Sequence, residues 1–305
     1  MENVKHQISR RQCLKQMSGG IAATYALGAG SLFAQPSLNR RQVFVMSDLH
    51  IGKVQDGLDG EQWLARALTD LKESAGPISY GMTLGDISQN GDRDSILKYI
   101  KLRDASSIPQ WFELAGNHEY YTDGIGNYTS LIRSTDPYLF IDGNIVWFFV
   151  SDQAVSRQGD MTSSTCRWIK KNLELHQDKV IIMCSHQLPA NTIRRSAEDV
   201  FCLHPKEEVE DILETGLVDL WLCGHEHAGP YSKESIARHG NTTVINVASM
   251  SHAYGTTRSE SYILEFVENS KQILARRRIH DTQCFPDEFC VEIPVRNPIS
   301  LGQQE

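Results

Sequence analysis

Short apolar runs bounded by Gly, Asp or Asn recur along the chain, and between several of them lies a longer segment with apolar residues three and four apart. The runs Gln42 to Ser47, Tyr80 to Leu84, Trp111 to Leu114, Tyr138 to Ile141, Ile145 to Ser151, Val180 to Cys184 and Val218 to Cys223 are rich in β-branched and aromatic residues. Their length and composition predict strands buried on both faces. Helical spacing appears in Glu61 to Glu73 (Trp63, Leu64, Leu68, Leu71), Asp92 to Leu102, Cys166 to Leu175 (Trp168, Ile169, Leu173) and Glu207 to Leu213. After His227 the pattern turns to strands, at Thr243 to Val247, Ser261 to Val267, Gln272 to Arg278 and Cys290 to Val295. Strand–helix alternation followed by a β-rich tail predicts an α/β fold, a two-sheet β-sandwich flanked by helices. The interval Tyr120 to Leu139 shows no clear period and is expected to overhang the strand ends.

Ligand-type side chains stand where five of these runs stop. In order they are Asp48-Leu49-His50, Gly85-Asp86, Gly116-Asn117-His118-Glu119, His186 and Gly224-His225-Glu226-His227. Each alone has an ordinary explanation, since a Gly-Asp pair is usually a turn. Together they place carboxylates, imidazoles and one amide at the carboxyl ends of successive strands, where open α/β sheets bind ligands. Seven metal-ligand candidates result: Asp48, His50, Asp86, Asn117, His186, His225 and His227. This oxygen–nitrogen set suits Mn or Fe, with Zn as a further candidate, better than Ca²⁺ or an iron–sulfur cluster. With one bridging carboxylate, seven side chains give two ions four contacts each. The set spans most of the chain, so residues 35–305 are expected to form one domain with a β-rich C-terminal extension.

Composition adds bounds rather than chemistry. With 40% hydrophobic and 22% charged residues, a sizeable core is available. Residues 1–34 read as a signal segment: Arg10-Arg11 precede a Gly- and Ala-rich apolar stretch from Met17 to Phe33, which resembles a twin-arginine export leader with Cys13 where an aromatic residue is usual. Cleavage after Ala34 would deliver the protein, through the twin-arginine machinery of a bacterium, to the periplasm or medium. Loss of Lys5, Arg10, Arg11, Lys15 and Glu2 moves the formal charge from −8 to −11, so a nucleic-acid partner is not expected. Cys184 and Cys223 sit inside apolar runs and read as buried thiols. Cys284 and Cys290 flank a loop that a disulfide could close. Oligomeric state is not legible.

The ordered motifs D-x-H, G-D, G-N-H-E, H and G-H-x-H resemble the calcineurin-like metallophosphoesterase family over residues 43 to about 250. The resemblance implies a β-sandwich flanked by helices and a dinuclear centre activating a bridging hydroxide for attack on phosphorus. One metal would take Asp48, His50, Asp86 and His227, the other Asp86, Asn117, His186 and His225. His118 would then be the catalytic acid that protonates the leaving oxygen. Glu119 would orient His118 or cap its turn. The substrate is expected to be a small phosphoester.

Departures within that family rank substrates. Purple acid phosphatases carry a tyrosine ligand where this chain has Gln89, and they lack the histidine found here at position 50. Exported nucleotidases add a large C-terminal domain, whereas 78 residues follow His227. The spacing resembles small phosphodiesterases, with a phosphomonoesterase or a non-catalytic metal-binding scaffold as alternatives. Arg194 and Arg195 read as a solvated pair that could reach a phosphate, and Tyr120 and Tyr121 as candidates for substrate packing. His252 could line the pocket. His6, His176, His204, His239 and His280 read as ordinary histidines.

Overall fold

A computed structural model describes residues 39–154, 156–227 and 234–303. The proposed leader therefore lies outside the described residues. Fourteen strands are described: β1 (Arg40–Met46), β2 (Val54–Gln55), β3 (Leu58–Asp59), β4 (Tyr80–Leu84), β5 (Trp111–Leu114), β6 (Tyr138–Asp142), β7 (Ile145–Val150), β8 (Val180–Ser185), β9 (Leu220–Cys223), β10 (Ile236–His239), β11 (Thr242–Asn246), β12 (Glu260–Val267), β13 (Gln272–Ile279) and β14 (Cys290–Pro294). The helices are α1 (Gly60–Ser74), α2 (Arg93–Ala105), α3 (Gly126–Leu131), α4 (Ser163–Leu175) and α5 (Lys206–Glu214).

Two six-stranded sheets face each other. One runs β14-β13-β12-β1-β4-β5 and the other β10-β11-β9-β8-β7-β6. Val43 and Val45 of β1 point between the sheets, with Trp147, Ile182 and Leu222 from the second sheet. Phe44 and Met46 point outward, onto Leu64 and Leu71 of α1 and Ile96 of α2. Both faces of β1 are thus apolar, which is why it reads as a continuous run rather than an alternation. On the far side, Ile169 and Leu173 of α4 and Val209 and Ile212 of α5 cover the second sheet. Helix α1 starts at a reciprocal cap: the Asp59 carboxylate accepts from Glu61 N–H (2.8 Å), and Gln62 Oε1 accepts from Asp59 N–H (2.9 Å).

Strands β1, β4 and β5 are mutually parallel, as are β7, β8, β9 and β11. Their carboxyl ends bring the five motifs to one edge of the sandwich. The C-terminal tail divides: β10 and β11 extend the second sheet, while β12 to β14 extend the first. Four elements have no counterpart in the sequence pattern, among them β2 and β3, which are two residues each. Edge strand β10 is only half-buried, and α3 has a single buried residue, Tyr128, so neither carries a strong periodic signal. Cys284 and Cys290 are thiols, and no disulfide occurs among the described residues. The Cys284 sulfur instead meets Thr282 Oγ1 at 3.1 Å. Cys184 and Cys223 are buried thiols.

Candidate metal centre

Each ligand candidate follows its strand by one to four residues, and backbone geometry aims it. Asp48, His50, Asp86, His225 and His227 all have positive φ, between 48° and 68°. Non-glycine residues seldom adopt this left-handed region, and they persist there when surroundings impose it. Interstrand hydrogen bonds do so here: Asp48 N–H donates to Gly85 O (3.2 Å) and His50 N–H to Asp86 O (3.0 Å). Across the sheets, His225 N–H donates to both Asp48 carboxylate oxygens, at 3.2 and 3.1 Å. Glycine is required at two contacts. A Cβ on Gly116 would strike Asp86 Oδ1, and one on Gly224 would strike Ser47 Oγ.

The side chains converge as two groups sharing one residue. Ligand atoms of Asp48, His50, Asp86 and His227 lie within 4.8 Å of one another, as do those of Asp86, His186 and His225. Within them, His227 Nε2 is 3.1 Å from Asp48 Oδ1, and His50 Nε2 is 3.1 Å from His227 Nε2. His186 Nε2 stands 3.1 Å from Asp86 Oδ2 but out of line for a hydrogen bond. Asn117 lies on the same rim, because the next backbone N–H, that of His118, donates to Asp86 Oδ1 (3.0 Å). Its Nδ2 donates to Tyr121 OH (3.2 Å), leaving its buried Oδ1 without a hydrogen-bond partner.

The far ring nitrogens of three of the four histidines are spoken for. His186 Nδ1 donates to Leu84 O (2.7 Å), His225 Nε2 to Val200 O (2.9 Å), and His227 Nδ1 faces Ala253 O (3.4 Å). Such contacts fix tautomer and ring orientation, so His186 and His227 offer Nε2 to the centre and His225 offers Nδ1. Buried orphan atoms, convergent lone pairs and a set of two carboxylates, one amide and four imidazoles fit a pair of cations. Burial would raise the Asp48 carboxyl, but His227 beside it holds it down at about 2. Asp86 is likewise held well below its ordinary value, against burial, by His186. Burial drives His50 down to about 3 and His225 to about 4, keeping both imidazoles neutral as metal ligands must be. Burial also opposes the charge on His186 and His227, yet Asp86 lifts His186 to about 10 and Asp48 raises His227. Protonation of these rings competes with cation binding, which therefore weakens as pH falls.

His118 sits beside both groups and belongs to neither. Its Nδ1 donates to Gln89 O (2.7 Å), and its Nε2 is 3.9 Å from Asp86 Oδ2. The proton it can exchange is therefore the one on Nε2. Glu119 makes no contact of this kind with the ring. Its buried carboxylate accepts from the N–H groups of Asp86 (2.9 Å), Gly116 (2.8 Å) and Ser88 (3.1 Å), tying the turn after β5 to the one after β4.

Other candidates fall away from the centre. His252 is held between Asp56 (2.8 Å) and Asp281 (3.2 Å) and stacks on Trp63. Arg194 lies 3.6 Å from Glu226, and Arg195 pairs with Glu198 at 3.0 Å. Tyr120 is half-buried with its hydroxyl on Asp152 O (2.7 Å), whereas Tyr121 is exposed against His118. A third close group, Asp199, Cys202 and His204, is satisfied internally, since Asp199 pairs with Lys206 (2.6 Å) and His204 Nε2 donates to Asp199 O (2.8 Å). Two residues carry no sequence signal of their own. Tyr254 packs its ring against His50, His118 and His227, and Lys53 lies over Tyr254.

The family model described as calcineurin-like phosphoesterase matches residues 41–229, more than half of the chain and every residue of the two groups. Among solved structures, GAP50, the anchor in the inner membrane complex of Plasmodium, aligns with TM-score 0.58 at 10% identity, covering 85% of this chain and 90% of that one. The purple acid phosphatase PPD1 from yellow lupin (Lupinus luteus) seeds aligns with TM-score 0.56 at 11% identity, covering 82% of this chain and 53% of its own. At such identities these likenesses speak to the fold. No curated protein sequence matches the chain.

Proposed function

The chain belongs to the calcineurin-like phosphoesterase family and is a metal-dependent phosphoesterase, and we propose that its substrate is a small phosphodiester met outside the cytoplasm. The observation that carries the hydrolase reading is the sharing of Asp86 between two convergent ligand groups. Asp48, His50, Asp86 and His227 would hold one cation, and Asp86, Asn117, His186 and His225 the second. When bound, such a pair lowers the pKa of water and neutralises charge on phosphoryl oxygens. His118 supplies what the ligands do not: with Nδ1 pinned by Gln89 O, its Nε2 carries a proton to the departing oxygen.

The preference for a diester rests on charge. A phosphomonoester is close to a dianion at neutral pH and calls for additional cations. Arg194 and Arg195, the guanidinium pair on the neighbouring loop, are engaged by Glu226 and Glu198, which leaves a setting suited to a monoanion. The acidic chain also disfavours long polyanions. Export rests on the Arg10-Arg11 leader. Twin-arginine substrates cross folded, so the centre would be filled in the cytoplasm, where availability favours Mn or Fe.

Plasma emission analysis should find about two metals per chain, and bis-p-nitrophenyl phosphate should be cleaved in preference to p-nitrophenyl phosphate. Preference for the monoester would overturn the diesterase assignment. A metal-replete protein inert on every phosphoester would overturn the hydrolase. Replacing Arg10 and Arg11 by lysine should strand the protein in the cytoplasm, and unchanged fractionation would dispose of the export reading.

A further inference from the structure

Two exposed tyrosines pack beside His118, the imidazole assigned above as the acid. The Tyr121 ring centre is 4.5 Å from that of His118, and the Tyr254 ring centre is 5.7 Å away. Both rings remain open to solvent, 57% and 54% exposed. Tyr254 also lies 5.1 Å from His50 and 5.6 Å from His227, so it overlooks the first ligand group as well.

Neither ring is placed by core packing. Tyr254 has a φ of 55°, a left-handed conformation that a bulky residue adopts rarely and mostly at functional positions. Specific contacts hold it there. Gln89 Nε2 donates to its hydroxyl at 2.6 Å, and Lys53 Nζ lies 4.0 Å from its ring centre. Tyr121 is held in parallel fashion, its hydroxyl accepting from Asn117 Nδ2 at 3.2 Å. The residues that fix the two rings are also those that frame His118. The Gln89 carbonyl accepts from its Nδ1, and Asn117 precedes it in the chain. Position of the acid and position of the walls are therefore linked.

In hydrolysis the P–O bond to the departing alcohol breaks, water supplies the hydroxyl that stays on phosphorus, and the departing oxygen takes a proton. For His118 Nε2 to provide that proton, the oxygen must lie within hydrogen-bond reach of it. Whatever that oxygen carries then lies near the rings of Tyr121 and Tyr254, whose centres are 4.5 and 5.7 Å from that of the His118 ring. Aromatic faces at such distances favour flat partners, in offset stacks or edge-to-face contacts. We propose that Tyr121 and Tyr254 form an aromatic wall that selects phosphodiesters whose leaving alcohol bears a planar ring, either an aryl group or a nucleoside. This rests on the phosphoesterase reading above.

The test compares kcat/KM for three diesters sharing one retained group: a phenyl ester, a nucleoside ester, and a fluoroalkyl ester whose alcohol matches phenol in acidity. Stacking of a base on an aromatic side chain is worth roughly five- to a hundredfold in binding. Tyr254→Leu and Tyr121→Leu should therefore each lower the ring-to-alkyl ratio about tenfold, mainly through KM, while Tyr254→Phe holds that ratio within about twofold. A fall confined to the phenyl ester places the ring on the leaving oxygen, and one confined to the nucleoside ester places it a sugar away; both support the wall. Because Leu at a left-handed position can perturb the loop, Tyr121→Leu, at φ −75°, is the independent arm. Ratios unchanged in both leucine variants overturn the proposal while leaving the phosphoesterase intact. Wild-type protein that cleaves none of the three removes the reading beneath it.

Discussion

Replacing His118 by Asn separates metal binding from proton delivery. The His118 ring lies outside both ligand groups, so the variant should keep about two metals per chain. Its backbone N–H to Asp86 survives the change, because that donor is not in the side chain. What disappears is an Nε2 positioned to pass a proton, held in place by the 2.7 Å bond from Nδ1 to Gln89 O. A positioned general acid contributes about 10²–10⁴ in rate, or roughly 3–5 kcal/mol. With the ring already oriented by a carbonyl, little of that is lost to reorganisation, and a loss of about 10³ is expected for alkyl leaving groups. A nitrophenolate leaves with little help from a proton, so its loss should be about tenfold or less. The assay is kcat on a series of diesters graded by leaving-group acidity, with metal content measured on the same samples. Equal losses across the series, or loss of metal, would refute the acid role.

Two further perturbations follow from packing. Asp70 of α1 accepts from Arg278 (2.8 and 2.5 Å) and from His280 (2.7 Å), joining the helix to β13 in a buried network. Asp70→Asn leaves the Arg278 guanidinium without its carboxylate and should destabilise the fold by about 3–5 kcal/mol in urea unfolding; a change below about 1 kcal/mol would contradict it. Burial opposes the Asp70 charge, but the Arg278 and His280 hydrogen bonds outweigh it and hold its carboxyl at about 2. A depressed carboxyl stabilises above its unfolded pKa, so wild type should lose about 2 kcal/mol as pH falls from about 4 through 2, and the Asn variant should lack that component. Gly116→Ala should push Asp86 and His186 apart, since the added methyl meets Asp86 Oδ1 and lies 2.8 Å from His186 Cδ2. Metal content should fall below two with circular dichroism retained, and a fully loaded variant would show that the turn can give way.

Much of this centre was legible because its residues are local in sequence to strand ends. Doubly buried strands such as β1 and β8 produce continuous apolar runs, and a ligand after each run needs no further information to be noticed. The signal failed where burial is partial or contacts are distant. Strand β10 lies at an edge, and α3 has one buried residue, so neither imposes a pattern. His252 drew attention through its place after a strand, yet Asp56 and Asp281 hold it away from the centre. Tyr254, two residues on, is the one that reaches the histidines. No spacing rule separates the two, because the choice depends on a left-handed backbone and on a partner, Gln89, 165 positions away.

By itself, the sequence determined which side chains are available and in what order they meet the strand ends, since local periodicity encodes strands and the motifs encode donors. It offered carboxylates and imidazoles in numbers that make thiolate ligands unnecessary. Tertiary structure alone decided how these become a centre. Parallel strands in two sheets bring residues as distant as Asp48 and His225 into hydrogen-bond contact, and five of the candidate ligands are held at positive φ by that pairing. The carbonyls of Leu84 and Gln89 and the Asn117–Tyr121 bond then settle which atom of His186, His118 and Asn117 faces inward. Those partners are backbone groups and non-local contacts, whose positions depend on the packed sheets rather than on residue identity.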